Sequence, residues 1–485
     1  MKTGLIKYHQ QIIWILLIAG LVLFVANIPG LYIDIDEPWF GEQAYYLAND
    51  GIVRSEMFQD FLQYNERILV YHKAFIWAGA AAVKLFGLSL YGLRLVSLLS
   101  GLVLVLLLYR FCKKNYNMTI FRLTLIILVF CPLIFRNTIL YRPEMMICAA
   151  GFASFFFLYE YLENERPLYL ILGAALAGFS VIIHLNGIIF IGAGGILLLS
   201  QKKWGYFFVF GIISILVASF YFYEAIGNPE LFKLQFMQDP SHAGANVQWY
   251  MPVKNLLAEH KRLFRKPEII GITVLFLLSA FYWIKDKSRQ RRRLIIYTFS
   301  LIILMGLINH NKTTKYAILM FPYFALMIAD NINSLIGHPQ QIRNITQKAF
   351  LAMLAITLAF GLYSNISLVI FGKEDWVARH KAVARHIPHD AKIIAPMRFM
   401  FNEIDNYDII GLLPARLIPK QEGKDFTPEN VCRLGRKYSA RYIIINDEYR
   451  ALMGCPVDDT TCMQHEKYKY LTGEYHFYIY KLENK

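Results

Sequence analysis

Residues 11–38, QIIWILLIAGLVLFVANIPGLYIDIDEP, join a long apolar run to a short acidic segment. The run is long enough for a helix that crosses a hydrocarbon core of about 30 Å. It follows two lysines, lacks a clear small-residue cleavage site and is followed by further apolar runs. We therefore interpret it as a retained first membrane span rather than a signal peptide, with polar residues beginning where the span ends.

The composition places the whole chain in the same class. It has 485 residues, of which 56% are hydrophobic and only 18% are charged, whereas a soluble domain typically carries about 25% charged residues. The net charge of +15 would suggest nucleic acid as a partner in a soluble protein. Here many basic residues lie in short loops between apolar runs, as membrane topology requires, and others can meet lipid head groups or phosphate substrates. We expect membrane lipids, and no nucleic acid, as partners.

Apolar runs able to cross a bilayer recur as far as residue 370. They predict an α-helical polytopic membrane protein with about eleven transmembrane helices. One run is short for a full crossing, so it is either extended at one end or only partly inserted. The predicted spans are 11–29, 89–109, 119–136, 145–162, 168–184, 187–200 (the short one), 205–225, 267–284, 294–309, 316–334 and 348–370.

Clusters of basic residues indicate the orientation. They follow the second, sixth and eighth spans and precede the last, which fits a cytoplasmic N-terminus and an extracytoplasmic tail in the plasma (inner) membrane. The loop 226–266 conflicts with this pattern because its cations would be external, although long loops obey the rule weakly. The cytoplasmic clusters are Arg110, Lys113, Lys114, Lys202, Lys203, Lys285, Lys287, Arg289, Arg291, Arg292, Arg293, Arg343 and Lys348.

Two domains follow from this layout. Residues 1–370 form a transmembrane domain, whose first external loop, 30–88, contains two weakly amphipathic stretches that we expect to lie on the membrane surface. Residues 371–485 predict a small extracytoplasmic α/β domain, because helix–turn–strand patterns alternate and the chain ends in an alternating strand. Cys455 and Cys462 could form a disulfide in an oxidising compartment, and the sequence leaves that open.

Acidic residues directly after the first span are the sharpest chemical feature. Asp36 and Glu37 lie in DIDEP at the membrane boundary, where acids are costly unless solvated or used. They are candidate catalytic carboxylates. The alternative is that they only cap the helix that starts near Pro38.

Other polar groups occur at further external ends of spans. Arg142 and Glu144 flank a proline and either form a structural ion pair or bind phosphate, acceptor or metal. His184 is a hydrogen-bonded boundary residue or a substrate ligand. Lys312, Lys315 and Tyr316 precede the tenth span, where the lysines either snorkel or neutralise a phosphate leaving group. No P-loop, GxSxG, HExxH or clustered CxxC is present in the sequence.

These features occur in an order that resembles the GT-C superfamily of polyprenyl-phosphate-sugar-dependent glycosyltransferases. Within that superfamily, the chain most resembles the proteins similar to dolichyl-phosphate-mannose–protein mannosyltransferases and those similar to aminoarabinose lipid A transferases. The resemblance is most specific in IDEPWFGEQAYYLANDG (35–51) and GLSLYGLRLVSLLSG (87–101), and it extends to YRPE (141–144) and KTTKYAILMFPYFAL (312–326). The tail resembles the aminoarabinose-transferase layout.

The resemblance implies a hexosyl- or pentosyltransferase that uses a sugar on a polyprenyl phosphate outside the cytoplasm. Asp36 matches the family's catalytic acid, with Glu37 beside it, and the expected chemistry is an inverting attack of a lipid, glycan or protein acceptor. Some members of the superfamily use a divalent metal, but this sequence has no clear DxD partnered with histidines, so no cofactor is expected. The alternatives are a lipid-linked saccharide transporter or flippase, and a polysaccharide polymerase or ligase.

Overall fold

The computed structural model describes residues 2–239, 249–284, 288–337, 345–372, 375–421, 425–456 and 459–483. Lys285, Lys287 and Arg343, which we assigned to cytoplasmic clusters, lie outside these ranges. Helices dominate the first 371 residues: α1 Lys2–Asn27, α2 Asp36–Asp50, α3 Lys73–Phe86, α4 Leu90–Asn115, α5 Met118–Val129, α6 Pro132–Ile139, α7 Pro143–Asn164, α8 Pro167–Ile183, α9 Ile188–Ser200, α10 Trp204–Ala218, α11 Tyr223–Gly227, α12 Pro229–Gln238, α13 Met251–Leu257, α14 His260–Phe264, α15 Pro267–Ile284, α16 Arg289–Ile308, α17 Phe321–Gly337 and α18 Ile345–Phe371.

Several of these helices can cross a membrane, so the chain is a multi-pass membrane protein. Within the described ranges, six helical segments are long and apolar enough, and α5 with α6 makes a seventh if the bent pair is one span. They are Gln10–Asn27, Leu90–Asn115, Pro143–Asn164, Trp204–Gly227, Pro267–Ile284 and the segment that begins with α18 at Ile345. The other ranges that we predicted as spans fall on α8, α9, α16 and α17. These helices are shorter or, in α16, begin with several arginines.

The predicted span 119–136 is not one straight helix. Helices α5 and α6 meet at an angle of 80°. Pro132 begins α6, and Cys131 before it has an extended backbone with φ −83° and ψ 108°. A residue that precedes proline is pushed out of the helical region by the proline ring, so the helix breaks at this point.

Two other predicted boundaries also move. Residues 314–319 form a 3-10 turn, and the α-helix that we predicted from residue 316 begins at Phe321, next to Pro322. Loop 30–88, in which we predicted the two helical stretches near residues 39–50 and 67–86, contains α2 from Asp36 and α3 only from Lys73. About half of α2 is buried, because it packs between α3 and the tail rather than lying exposed on a membrane surface.

The tail forms a five-stranded sheet with helices around it. Its elements are α19 Trp376–Ala384, β1 Lys392–Ala395, α20 Met400–Glu403, β2 Asp408–Gly411, α21 Leu412–Gln421, α22 Pro428–Lys437, β3 Tyr442–Asn446, α23 Asp447–Leu452, β4 Tyr468–Glu474 and β5 Phe477–Leu482. The strand order is β2-β1-β3-β5-β4, with β1 parallel to β2 and β3, and with β5 antiparallel to β3 and β4. The predicted strands are present, and β2 and β4 are additional. Cys455 and Cys462 form a disulfide.

The tail packs directly on the loop 30–88. Tyr45 in α2 donates a hydrogen bond to Asp405 at 2.6 Å, and Lys437 pairs with Asp60 at 2.6 Å. Phe399 and Ile393 from the tail belong to the same apolar cluster as residues of the transmembrane domain. The loop 30–88 is therefore held between the tail and the helices that precede residue 371.

A glycine sets the distance between α3 and the chain segment before α7. A Cβ added to Gly79 would lie 1.8 Å from Oη of Tyr141 and 3.0 Å from Cβ of Ala44 in α2. Tyr141 cannot move away easily, because it is fully buried and its ring stacks on Phe75 with 4.4 Å between centroids. Only a residue without a side chain allows this close approach.

Candidate active site

The acidic segment after the first span folds into a tight turn that starts α2. The backbone N–H of Asp34 donates to Oε2 of Glu37 at 2.8 Å, and the N–H of Asp36 donates to Oδ1 of Asp34 at 3.2 Å. These side chains satisfy backbone donors at the helix start, as capping residues do. Glu37 thus binds a backbone N–H just before α2, whereas the side chain of Asp36 caps no donor of this helix and is left for other contacts.

Glu37 faces the protein interior. Its carboxylate receives two hydrogen bonds of 2.9 Å from the Arg94 guanidinium and one of 2.7 Å from the backbone N–H of Tyr141. The residue is 0% exposed. Every oxygen of Glu37 is engaged in joining the first loop to α4 and to the chain before α7, so the structure does not bring this residue into contact with a substrate.

Arg142 gathers three carboxylates. Its Nε and Nη2 donate to Glu144 at 3.1 and 2.7 Å, while its Nη1 donates to Asp34 at 2.7 Å and also to Asp36. A guanidinium presents its donors in a planar fork that suits carboxylates at several sides. The side chains of Arg142, Asp34 and Glu144 are 7%, 11% and 1% exposed, against 34% for Asp36. Asp36 is thus the carboxylate that opens outward.

Lys315 completes this charged cluster. Its ammonium lies 3.1 Å from Asp34 and 3.7 Å from Asp36, and its side chain is 30% exposed. Burial acts to raise the pKa of Asp34, but the neighbouring Arg142 and Lys315 outweigh it and hold that pKa below its usual value. By formal charge, the three carboxylates of Asp34, Asp36 and Glu144 and the two cations of Arg142 and Lys315 give the cluster a net charge of −1.

A cavity of about 420 Å³ lies beside the cluster. Its walls include five of the residues that we predicted as site residues, namely Asp36, Arg142, Glu144, His184 and Tyr316. They come from the starts of α2 and α7, the break between α8 and α9, and the turn before α17. The ends of several apolar helices thus converge on one polar chamber.

Two histidines form part of the wall. The rings of His72 and His184 stack with 4.4 Å between centroids and 15° between planes, and His184 meets the Tyr316 ring edge at 5.3 Å. Nδ1 of His184 accepts the backbone N–H of Asn186 at 3.0 Å. This bond assigns the unprotonated nitrogen to Nδ1, so that a neutral His184 carries its proton on Nε2.

Lys312 is not brought to the cavity wall. It donates to Glu259 at 2.8 Å and to the carbonyls of Gly306 and Asn309 at 3.1 and 2.6 Å. Glu259 also accepts from Arg262 at 2.6 Å, and Arg262 is fully buried. Lys312 therefore belongs to a separate ion-paired cluster that anchors the turn before α17.

Helix α12 fastens one wall of the cavity to the loop 30–88. Gln235 donates to the carbonyls of Leu62 and Arg67 at 3.2 and 2.7 Å and accepts the N–H of Leu69 at 2.8 Å. The side chain is fully buried. One amide therefore satisfies three backbone groups of an irregular loop, which fixes the loop without regular secondary structure.

Two polar contacts continue this connection. Tyr64 donates to Asp239, a cavity residue, at 2.5 Å. Lys73, at the start of α3, is buried and pairs with Glu224 at 3.0 Å, with its ammonium 4.2 Å from the centre of the Tyr71 ring. The first loop and the segment around residues 219–239 thus form one wall.

Several residues of the charged cluster and of the cavity wall escaped the sequence prediction. Asp34 was visible in DIDEP, but its contacts with Arg142 and Lys315 were not. His72, Gln43, Asn309 and Asp239 also line the cavity. Asn309 lies only three residues before Lys312, which we had singled out, whereas single amides such as Gln43 leave no recognisable pattern in the sequence.

The described residues contain no group of three or more His, Cys, Asp or Glu side chains arranged to hold a metal ion. The acids of the cluster are instead engaged by Arg142 and Lys315. Independence from a metal stays a prediction.

Comparisons with known proteins extend this description. Residues 74–223 match the family model described as dolichyl-phosphate-mannose-protein mannosyltransferase. The matched segment runs from the start of α3 to Tyr223, so it includes Arg142, Glu144 and His184 but not Asp36 or Lys315. No curated protein matches the chain in sequence.

Solved structures share the fold over almost the whole chain. ArnT from Cupriavidus metallidurans bound to undecaprenyl phosphate has a TM-score of 0.64 and 11% identity, over 96% of each chain. The same protein in the apo state has a TM-score of 0.62 and 11% identity, over 98% of each chain. The Archaeoglobus fulgidus oligosaccharyltransferase in the apo form has a TM-score of 0.55 and 11% identity, over 98% of this chain and 74% of that one. The resemblance to the GT-C glycosyltransferases is therefore confirmed, by the mannosyltransferase family model for residues 74–223 and by the fold for the chain as a whole.

Proposed function

We propose that this protein is a membrane glycosyltransferase that moves a sugar from a polyprenyl-phosphate carrier to a hydroxyl or phosphate acceptor on the extracytoplasmic face. The observation that carries the proposal is the position of Asp36. It is the most exposed carboxylate of a largely buried charged cluster, and it opens into a cavity of about 420 Å³ where several apolar helices end. A base at this boundary can meet a polar acceptor and a lipid-borne donor together.

The proposed chemistry is a single inverting displacement. Asp36 accepts the proton of the acceptor hydroxyl, whose oxygen attacks the anomeric carbon of the sugar. The bond from that carbon to the lipid phosphate oxygen breaks, and the phosphate leaves with the electron pair. The anomeric configuration inverts because attack and departure occur on opposite faces. When the acceptor is a phosphate, it is already ionised and needs no general base, and the exposed cation Lys315, rather than Asp36, orients it.

The cluster around Asp36 suits this reaction electrostatically. Arg142 binds Asp36 and so holds its carboxylate in a fixed direction. Lys315 is the more exposed of the two cations, at 30% against 7% for Arg142, and is the one able to turn toward a leaving phosphate. Preorganised charges of this kind stabilise the transition state because they need not rearrange as charge develops.

The two comparisons support the choice of donor. The matched family is described by dolichyl phosphate mannose, and ArnT is seen bound to undecaprenyl phosphate. Both lipids are isoprenoid phosphates that present their head group at a membrane surface. The acceptor that we propose is a lipid, a glycan or a protein. We assign Glu37 no role in the chemical step, because its carboxylate already accepts hydrogen bonds from Arg94 and from the backbone N–H of Tyr141.

The test is to compare cells that carry the wild-type protein, no protein, or Asp36→Asn. Mass spectrometry of lipids and glycans should show a glycosylated product only with the wild type, and a sugar-bearing polyprenyl phosphate that accumulates in the other two. Asp408→Asn is the matched control, because this acid lies in the tail, is 42% exposed and pairs with Lys392. It should behave as the wild type does.

The same measurement separates the alternatives. A transporter or flippase would change the side on which the lipid-linked sugar is found and would yield no new glycosidic bond. A polymerase or ligase would transfer a long saccharide rather than one sugar. An unchanged product with Asp36→Asn would remove Asp36 as the base. Separately, a topology reporter fused after residue 50 should be active only outside the cytoplasm, and cytosolic activity would end the proposal.

A further inference from the structure

Two asparagines in the cavity wall leave a complementary pair of groups unbonded. Nδ2 of Asn309 donates to Oδ1 of Asn186 at 3.0 Å. The other two atoms, Nδ2 of Asn186 and Oδ1 of Asn309, are buried and have no hydrogen-bond partner among the described residues. Asn186 is only 8% exposed, and both residues line the cavity. The pair therefore offers the cavity one donor and one acceptor.

This result does not depend on which way the two amides are turned. If both side chains were rotated so that oxygen and nitrogen exchanged places, Asn186 would donate to Asn309 instead. The unbonded atoms would then be an oxygen on Asn186 and an N–H on Asn309. One donor and one acceptor remain in either case, although the positions of amide oxygen and nitrogen are assigned from hydrogen bonding.

A second such pair lies in α2. Oε1 of Gln43 and Nε1 of Trp39 are likewise buried and unpaired within the described ranges, and both residues line the same cavity. Gln43 is 1% exposed. The Trp39 indole is held against Phe58 with 5.4 Å between ring centroids, so its N–H has a fixed direction. Again one acceptor and one donor are available.

Buried polar groups in native proteins nearly always have partners. In the free protein, water in the cavity pairs with such groups, and a ligand that displaces this water must replace its hydrogen bonds. The ligand must therefore offer a donor to each acceptor and an acceptor to each donor. A phosphate at neutral pH offers mainly acceptors, and an ammonium group offers only donors. A hydroxyl group offers both.

The charges nearby point to the same class of ligand. Arg142 and Lys315 already bind the carboxylates of the cluster. The other charged side chains in the wall are Asp36, Glu144 and Asp239, so the wall repels an anionic substituent on the sugar, while the lipid phosphate of the donor is left to Lys315, which does not line this cavity. We propose that Asn186 with Asn309, and Gln43 with Trp39, form a subsite that binds the hydroxyls of a neutral sugar. The inference rests on the proposed function, in which the sugar belongs to the lipid-linked donor or to the acceptor.

The test uses the full-length protein in lipid nanodiscs and native mass spectrometry. One arm titrates undecaprenyl phosphate without a sugar, and undecaprenyl phosphate that carries mannose, glucose or galactose. The other arm titrates the free methyl hexosides in the presence of the sugar-free lipid. Asn186→Ala and Gln43→Ala are the test variants. Asn164→Ala is the matched control, because Asn164 is exposed at the opposite end of α7.

In the wild type we expect a neutral hexose to strengthen binding of the lipid about tenfold or more, since a site built for hydroxyls discriminates strongly against their absence. Asn186→Ala and Gln43→Ala should each reduce that gain by roughly tenfold, while the sugar-free lipid binds as before. Asn164→Ala should keep the gain. If the loss occurs only with the hexosyl lipids, the subsite holds the donor sugar. If it occurs only with the free hexosides, the subsite holds the acceptor sugar.

If the hexose strengthens binding equally in the wild type and in both test variants, and does so in both arms, the proposed subsite is wrong. If the sugar-free lipid fails to bind the wild type at all, the proposed carrier is wrong, and the free hexosides alone then decide the subsite. If a variant does not fold, deoxyhexosyl lipids replace it. Removal of one hydroxyl should weaken binding to the wild type, and equal binding of every deoxy analogue would count against the proposal.

Discussion

The Arg94 guanidinium donates from Nε and Nη2 to the two oxygens of Glu37, each at 2.9 Å. Arg94 is 1% exposed and Glu37 is 0% exposed. Asp36, one residue earlier, turns instead toward Arg142 and the cavity. Adjacent acids at the membrane boundary therefore have separate roles, one in joining elements and one in the chemistry that we propose.

Glu37→Gln should destabilise the protein more than Asp36→Asn does. Loss of the Glu37 charge leaves Arg94 buried without its counterion, which costs about 3 kcal/mol. We expect a clearly lower melting temperature in detergent and a lower yield of folded protein, whereas Asp36→Asn should melt close to the wild type. Equal melting temperatures for the wild type and Glu37→Gln would contradict the structural role of this pair.

Removal of Lys315 should slow transfer without unfolding the protein. Lys315→Met leaves three carboxylates facing Arg142 alone and takes away the more exposed cation. The transfer rate should fall roughly tenfold to a hundredfold, and Lys315→Arg should restore part of it. Lys469→Met, at a side chain that is 61% exposed in the tail, is the control. A full rate with Lys315→Met would exclude this lysine from the reaction.

Glu42 should make stability depend on pH. Burial raises the pKa of Glu42 from 4.5 to about 8, so the folded state prefers the protonated acid. The folded state then binds more protons than the unfolded state between these values, and stability should fall as pH rises from 4.5 to 8, by up to about 1.4 kcal/mol per pH unit. Glu42→Gln should flatten this part of the curve of melting temperature against pH. A slope that persists in the variant would assign the effect to another group.

The disulfide gives a test of the tail's compartment. Cys455 and Cys462 should resist alkylation in freshly isolated membranes unless a reductant is added, because disulfides persist in oxidising compartments. Their replacement by serines should cost about 2 kcal/mol of tail stability. Peptide mass spectrometry measures the alkylated fraction of each of the two cysteines. Complete alkylation without reductant would indicate that the tail faces a reducing compartment.

Gln235→Leu should loosen the cavity wall. Leucine has a side chain of similar size, but it leaves the N–H of Leu69 and two loop carbonyls without their hydrogen-bond partners. Hydrogen exchange at residues 62–69 should accelerate at least tenfold, and transfer should fall with it. Gln238→Leu is the matched control, since it lies on the same helix but is exposed. Similar exchange in both variants would show that Gln235 does not fasten the loop.

The sequence predicted where the candidate site lies along the chain better than it predicted which residues form it. Asp36, Arg142, His184 and Tyr316 each adjoin an apolar run at the same boundary, and helices that cross a bilayer bring such ends together. Hydropathy alone therefore predicts that these helix ends lie near one another. The family resemblance added the chemistry.

Side-chain direction could not be predicted in the same way. Asp36 and Glu37 are neighbours, but successive residues of a helix point about 100° apart, and only the packing of α4 decides which acid is buried. Lys312 and Lys315 differ for a similar reason, because Glu259 comes from a distant loop. The amides Gln43 and Asn309 carry no charge and recur with no period, so no pattern distinguished them.

The bend between α5 and α6 shows a further limit. The apolar run 119–136 has the composition of one span, and Pro132 was the only local indication of a break. A proline at that place permits either a kink or a complete turn. The packing of α6 against α4 and α18, which the sequence does not reveal, selects the turn of 80°.

Gly79 affects how the charged groups of the proposed reaction centre are positioned. The gap between α3 and the backbone that leads into Arg142 is the width of one absent methyl group. Any larger residue at this position would displace Tyr141, which directly precedes Arg142 in the chain. A residue with no side chain is thus the spacer that sets the alignment of the charged groups.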